Sequence, residues 1–275
     1  MNPPYLGRIA PTPTGYLHLG HAATFWTAFE RAREAGGLVV LRIEDLDTHR
    51  CRPEYTQAAI EDLQWLGIAW DGEPAHQSAR REFYLDAWRR LRDGGWIYPC
   101  EHSRKDVAAS TAAPHEEEPV FPTEWRRDPA ESLSHEFPVG ANWRFRVPDH
   151  RRITFQDGNF GAVEKTCLHD FGDFVVWNRD DIPAYELAVV VDDARITEVV
   201  RGADLLTSTA RQILLHEALG QSQPRWFHCP LVCDASGQRL AKRSAGLSIR
   251  KLRAAGRQPE AVIPHHPASG AGRLK

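Results

Sequence analysis

Apolar residues along the chain fall into short runs bounded by Gly and Pro, and into longer stretches with helical spacing. Leu6 to Ala10 is a brief apolar run, and Pro11, Pro13 and Gly15 stop a strand from continuing beyond it. After Gly20, the residues Ala22, Phe25, Trp26, Phe29 and Ala32 recur at helical spacing, which predicts a helix ending near Gly36-Gly37. Leu38 to Ile43 is apolar on both faces and reads as a parallel strand covered by helices. Pro53 opens a helix with Tyr55, Ala59, Leu63 and Leu66 on one face, closed by Gly67. Ser78 is expected to cap a further helix that turns Tyr84, Ala87, Trp88 and Leu91 inward and ends at Gly94-Gly95.

The pattern changes from Tyr98 to about Pro148, where periodicity is lost and Pro, Glu and Ala accumulate, as in an inserted, loop-rich module. Asn142 to Val147 and Arg151 to Phe155 then alternate as short strands before a turn at 156–159, and Asp173 to Asn178 is another strand. Leu187 to Val191 is a second run apolar on both faces and is expected to be a second buried strand. Thr197 to Val200 leads into charged residues before a helix from Thr207 or Ser208 to Leu219, and Ser248 caps a short helix ending at Gly256. Pro264 to Lys275 has no periodicity and reads as a frayed tail.

Composition narrows this picture modestly. A chain of 275 residues with 42% hydrophobic and 26% charged residues is an ordinary globular composition, long enough for a substantial core. A net charge of −3 gives no general attraction to nucleic acid, so RNA binding would need a local basic surface. The candidate is the helix carrying Arg80, Arg81, Arg89, Arg90 and Arg92, for which a solvated charged face is the ordinary explanation. No apolar run is long enough for a membrane span, and no signal-peptide pattern opens the chain. Scattered cysteines, 5 in number, fit a reducing cytoplasm better than a disulfide framework.

Candidate chemistry lies where strands end. The first strand feeds a Pro/Gly loop and a helix start bearing His18, Gly20 and His21, an arrangement suited to anions, although an ordinary turn with two surface histidines would look the same. Glu44, Asp45 and Asp47 follow the second strand, at the end where open α/β sheets bind ligands; the competing explanation is a polar loop in which Asp47 caps the next segment. Cys100 and His102 are spaced like half a zinc site, with His115 a distant third candidate. Arg239 to Ser244, including Lys242, forms a basic loop.

Taken together, these stretches resemble class I aminoacyl-tRNA synthetases of the glutamyl type. His18-Leu19-Gly20-His21 is similar to the HIGH motif, and Arg239-Leu240-Ala241-Lys242-Arg243 is a loose form of KMSKS that keeps its second lysine. Ala10 to His18 resembles the APSPTGxLH opening, Arg42 to Asp47 the RIEDxD motif, and Ala184 to Asp193 with Ile196 to Leu205 gives the longest match. The resemblance implies an α/β fold: a Rossmann-type parallel sheet split by a loop-rich α+β insertion. The expected boundaries are 1–97 and 184–246 for the two catalytic halves, 98–183 for an acceptor-binding-like insert, and 247–275 for a short helix and tail.

The resemblance is nearest to the short members of the class, which attach glutamate to queuosine in the anticodon of tRNA(Asp). It implies ATP, with Mg2+, as a substrate and glutamyl-adenylate as the intermediate. It also implies that Arg8, Ala10, Thr12, Glu44, Tyr185 and Arg201 bind L-glutamate. His18, Gly20, His21 and Lys242 would contact ATP, with the two histidines and the lysine catalytic. A cytoplasmic monomer without membrane attachment is expected. Full-length glutamyl enzymes continue for about 200 residues more, the size of an anticodon-binding domain, and the shorter length here favours the short group. Zinc-bearing relatives carry cysteines and a tyrosine where this chain has His102, Phe121 and Trp125. Phe cannot ligate a metal and Trp offers only an N–H, so zinc is doubtful, and Cys100, His102 and His115 are the candidates for any rearranged site.

Overall fold

The computed structural model describes residues 4–110, 119–232 and 248–263. Lys242, His115 and the tail expected from Pro264 therefore lie outside the described residues. In chain order the regular elements begin with β1 (Leu6–Ile9), α1 (Leu19–Glu34), β2 (Leu38–Ile43), α2 (Pro53–Trp65), β3 (Ala75–His76) and α3 (Arg81–Asp93). The segment expected as an insert forms β4 (Ile97–Cys100), α4 (Arg104–Ser110), β5 (Asn142–Phe145), β6 (Arg152–Asp157), β7 (Gly161–Thr166) and β8 (Phe174–Trp177). The chain then forms α5 (Tyr185–Asp192), β9 (Glu198–Gly202), α6 (Leu206–Ala218), β10 (Arg225–Cys229) and α7 (Ile249–Ala254).

Two parallel sheet segments meet at β1. β1, β2 and β3 are parallel neighbours, and so are β9, β10 and β6, with β7 added antiparallel at the edge. β9 runs alongside β1: the Thr197 N–H donates to the Leu6 carbonyl at 2.9 Å, and the Leu6 N–H donates to Thr197 Oγ1 at 2.9 Å. Helix α1 is fastened across this seam by Arg31, which meets buried Glu198 bidentately at 2.8 and 2.9 Å, while Tyr5 donates to the same carboxylate. The C-terminal ends of β1, β2 and β9 thus share one edge of the sheet, the edge where α/β folds bind ligands.

The insert has its own antiparallel sheet in the order β4-β5-β8. It is closed by Asp173, a fully buried carboxylate that accepts from Tyr98 Oη at 2.6 Å, Arg126 Nε at 2.9 Å and the Val147 N–H at 3.0 Å. The β6–β7 hairpin, by contrast, is continuous with the parallel sheet through β10.

Three elements depart from the sequence reading. Leu187–Val191 is not a strand: it lies within helix α5, with Glu186, Leu187, Ala188, Val189 and Val190 buried. An apolar run buried on every side carries no periodicity to distinguish helix from strand, and packing against α3, α6 and β8 overrides the β-preference of its valines. Ser78 does not cap α3; its N–H and hydroxyl both donate to Asp45 at 2.8 Å, and the helix starts at Arg81. The arginines of α3 are not simply a solvated face either. Arg80 donates to Asp192 at 2.7 Å, Arg81 to Asp181 at 2.8 Å, Arg92 to the His135 carbonyl at 2.7 Å, and Arg90 to the Leu219 carbonyl. These bonds fasten α3 to α5, α6 and the insert, leaving less of its charge to track an RNA backbone.

Asp62, on α2, is fully buried, and neither carboxylate oxygen has a hydrogen-bond partner. Burial raises its pKa to about 6, against the attraction of Arg250 and Arg253. A carboxyl whose pKa is higher folded than unfolded loses stability as pH rises between the two values, by on the order of 1–3 kcal/mol here. Asp62→Asn is therefore expected to melt at higher temperature than the wild type at pH 7.5, with the gap closing near pH 4.5. An equal gap at both pH values in thermal unfolding would contradict this.

Candidate active site

At the shared strand edge, β1, β2, β9 and the end of α5 bring charged side chains together. Arg42 is buried between Asp193, at 2.5 Å, and Glu44, at 3.1 Å. Arg8 reaches Asp193 with Nε at 3.3 Å and donates through Nη1 to the Val200 carbonyl at 2.9 Å. Thr12 donates its hydroxyl to Glu44 at 3.3 Å, and the Glu44 N–H donates to the Pro11 carbonyl at 3.0 Å, so the opening loop folds over the end of β2. Ala10 joins β1 to this loop and is half-buried. Arg8 and Arg42 meet Glu44 and Asp193, with Asp192 3.9 Å from Arg42, so cations and carboxylates alternate along this edge.

The two carboxylates on Arg42 titrate in opposite directions. Desolvation pushes Glu44 above its ordinary value even though Arg42 and Arg8 oppose the shift. Desolvation would raise Asp193 as well, but Arg42 and Arg8 together hold it below the usual range. Asp193 is thus the settled counter-ion, whereas Glu44 stands to gain from a further positive charge.

Arg201, on β9, forms the far wall. Nη1 donates to Gln212 Oε1 at 2.8 Å and to the Tyr185 hydroxyl at 3.4 Å, Nη2 donates to Thr209 Oγ1 at 2.7 Å, and Nε donates to His228 Nε2 at 3.2 Å. Tyr185, at the start of α5, is 38% exposed, yet desolvation pushes its phenol pKa up to about 12. Its ring also borders a second cleft, on the insert side, with Phe121, Arg144, Asp173, Glu186 and Arg211.

The histidine loop is built as a helix cap. His18 is the N-cap of α1; its Nδ1 accepts the Gly20 N–H at 3.1 Å, while His21 Nδ1 accepts the His18 N–H at 3.2 Å. Each neutral ring therefore carries its proton on Nε2, as a donor. The rings stack with centroids 3.8 Å apart, and a Cβ on Gly20 would come within 3.0 Å of the His18 ring, which explains the glycine between them. The first turn of α1 has no acidic residue, so no side chain of that turn offsets its positive dipole end. The segment after the basic loop docks beside it: the Ile249 N–H donates to the Leu17 carbonyl at 2.8 Å, and Ser248 bridges to His18.

The structure thus brings Arg8, Thr12, Glu44, Tyr185 and Arg201 into one charged cluster, and His18, Gly20 and His21 onto the same loop. Asp45 and Asp47 turn to structural bonds, Asp45 with Ser78 and His76, and Asp47 capping Arg50. The His102 ring stacks on Trp125 at 4.0 Å, and among the described residues, which leave out His115, no group of three or more His, Cys, Asp or Glu could hold a metal ion. Residues not singled out from sequence include Arg42 and Asp193, whose partners lie 151 positions apart, and His228 with Asp157. The charged ends of the motifs around Arg42 and Asp193 were the available signal.

The family model for class I tRNA synthetases of the E and Q type, catalytic domain, matches residues 6–269. Among curated relatives, the glutamyl-Q tRNA(Asp) synthetase of Symbiobacterium thermophilum is 45% identical over 274 residues, covering 94% of this chain and 84% of its own. That of Deinococcus radiodurans is 41% identical over 94% of this chain and 86% of its own. A solved glutamate tRNA ligase from Elizabethkingia meningosepticum, in complex with its amino acid, is 28% identical with a TM-score of 0.71 over 88% of this chain. The glutamate-tRNA synthetase of Elizabethkingia anophelis gives 0.73 at 28% identity over 88%. The chain spans about half the length of these two solved proteins, 52% and 53%. With the Rossmann-type sheet, the capped histidine loop and this coverage, the chain belongs to the class I tRNA synthetases of the glutamyl and glutaminyl type and, within them, to the ligases of the glutamyl-Q tRNA(Asp) synthetase family.

Proposed function

We propose that the chain activates L-glutamate with ATP to glutamyl-adenylate and transfers the glutamyl group to queuosine in the anticodon of tRNA(Asp). The observation that carries this reading is the cluster of Arg8, Arg42, Glu44, Asp193, Tyr185 and Arg201 at the strand edge, next to the capped helix start. Glu44 takes the substrate ammonium, which relieves its desolvation. Arg8, Arg201 and Tyr185, with Ala10 and Thr12 lining the wall, receive the carboxylates through charge-assisted bonds. A substrate carboxylate oxygen attacks the α-phosphorus of ATP; the new bond forms as the bond to the bridging oxygen breaks, and pyrophosphate leaves. Nε2–H donors on His18 and His21, the α1 dipole and Lys242 stabilise the negative charge of that in-line transition state, with Mg2+ carried on the nucleotide. Gly20 leaves room for the stacked rings. The acceptor approaches over the insert, toward the side of Tyr185 that faces the second cleft, and its nucleophile attacks the acyl carbon with AMP as leaving group. This chemistry is consistent with a protein of the cytoplasm; no helix among the described residues is long and apolar enough to cross a membrane.

Glu44→Gln should raise the KM for glutamate in pyrophosphate exchange roughly 100-fold, the scale of losing one partner of a buried charge pair, and leave the KM for ATP nearly unchanged. Because the Glu44 pKa lies above its ordinary value, acidification protonates it early. Wild-type glutamate affinity should therefore weaken as pH falls toward that value, while the variant stays flat across the same window. Parallel pH profiles would refute the assigned role.

The acceptor is tested with labelled glutamate and tRNA(Asp) with or without queuosine. Label should appear only on the queuosine-bearing tRNA and survive removal of the 3′ nucleotide. Equal labelling of both tRNAs, or label at the 3′ end, would defeat the acceptor assignment; exchange without any tRNA labelling would point to another amine or carrier.

A further inference from the structure

Behind Arg201 runs a line of fully buried polar groups that reaches the inserted hairpin. Asp157, the last residue of β6, accepts from His228 Nδ1 at 2.6 Å, from the His228 N–H at 3.1 Å, and from the N–H groups of Asn159 at 3.0 Å and Phe160 at 2.9 Å. His228 is 0% exposed on β10. Its Nε2 lies 3.2 Å from Arg201 Nε and 3.1 Å from Thr209 Oγ1. Asp157, taking two other N–H groups from its own turn, is an acceptor only. The imidazole must therefore carry its proton on Nδ1, which leaves a lone pair on Nε2 for the Arg201 Nε–H. The other tautomer, or the imidazolium, would set an N–H against an N–H of a cation. Desolvation and the neighbouring Arg201 hold the His228 pKa down, at about 4, which keeps the ring neutral.

This bond matters because of what it leaves free. Three short contacts, to His228, Gln212 and Thr209, fix the guanidinium plane, and Trp226, two residues earlier on β10, lies 5.2 Å from its carbon. The two longest contacts, 3.4 Å to Tyr185 and 3.5 Å to the Leu205 carbonyl, leave one N–H on each Nη weakly engaged. A guanidinium receives a carboxylate through paired N–H groups, and these are the two whose contacts a ligand displaces most easily.

We infer that His228, oriented by Asp157, is a positioning residue for substrate recognition: it holds Arg201 from behind so that its outer edge meets a substrate carboxylate, and it ties that edge to the inserted β6 hairpin. The inference rests on the proposed glutamate site.

The test uses the full chain, with L-glutamate and ATP binding each followed by titration calorimetry and KM values taken from pyrophosphate exchange. His228→Leu removes the acceptor and strands a buried donor, so glutamate binding should weaken roughly 10- to 100-fold, with ATP binding and kcat little changed. His228→Gln, which offers an oxygen to Arg201 and an N–H to Asp157, should recover most of that loss even if it melts as early as the leucine variant. Equal glutamate affinity in the wild type and His228→Leu overturns the positioning role. Losses that follow melting temperature, or that fall equally on ATP, overturn it too. Failure of the wild type to bind glutamate at all would instead overturn the proposed function and, with it, this inference.

Discussion

The buried guanidinium of Arg42 is the charge on which the site depends. It is held by Glu44 just beyond β2 and by Asp193 at the end of α5, with Asp192 at 3.9 Å. Asp192 in turn receives Arg80, Gln77 and Tyr84. One cation thus couples the end of β2 to the end of α5, and through Asp192 to α3. Removing one partner of such a buried network leaves an uncompensated charge, which costs about 3–5 kcal/mol. The network is therefore a condition for assembling the strand edge and not only an adornment of it.

The same network prepares a recognition surface. Asp193 is kept anionic by two arginines and needs nothing more, whereas Glu44 is desolvated beyond what its arginines offset. Arg201 is locked from behind by Gln212, Thr209 and His228, while its contacts toward Tyr185 and Leu205 are long. A site with one carboxylate wanting a cation and one guanidinium edge wanting an anion suits an amino acid. The neighbouring histidines contribute by a different route. Their Nδ1 atoms are spent on capping α1, which fixes the tautomer of both rings at the helix start.

Much of the fold was legible because local signals agreed with tertiary need. β2 and α2 fall where doubly apolar spacing and a Pro–Gly frame placed them, and Ser248 caps α7 as its position suggested. The helix α5 was not legible as a helix, since Leu187 to Val190 is fully buried and the run is rich in valine. The strands β7 and β10 gave little pattern: β7 is a largely exposed edge, and β10 is a five-residue aromatic stretch whose role depends on β6 and β9. Of the site, the side chains on recognisable motifs were found and their supports were not. Arg8 and Glu44 sit in motifs, but Asp193, His228 and Asp157 act through partners 185, 27 and 71 positions away. Spacing along a chain carries no record of such pairings. On the charge-rich α3 the face is partly solvated as composition suggested, and Arg80, Arg81, Arg90 and Arg92 also hold elements together, which composition does not record.

The central claim is that glutamate and ATP meet at this strand edge, with the amino acid among Arg8, Glu44, Tyr185 and Arg201 and the nucleotide against His18 and His21. A crystal structure of the chain with a non-hydrolysable glutamyl-adenylate analogue tests it most directly. The ammonium is expected on Glu44, a carboxylate on the outer edge of Arg201 and the phosphate mimic within reach of both imidazole Nε2 atoms. An analogue seated in the cleft of Phe121, Arg144 and Arg211, or bound with Glu44 and Arg201 still engaged only with protein, would contradict it.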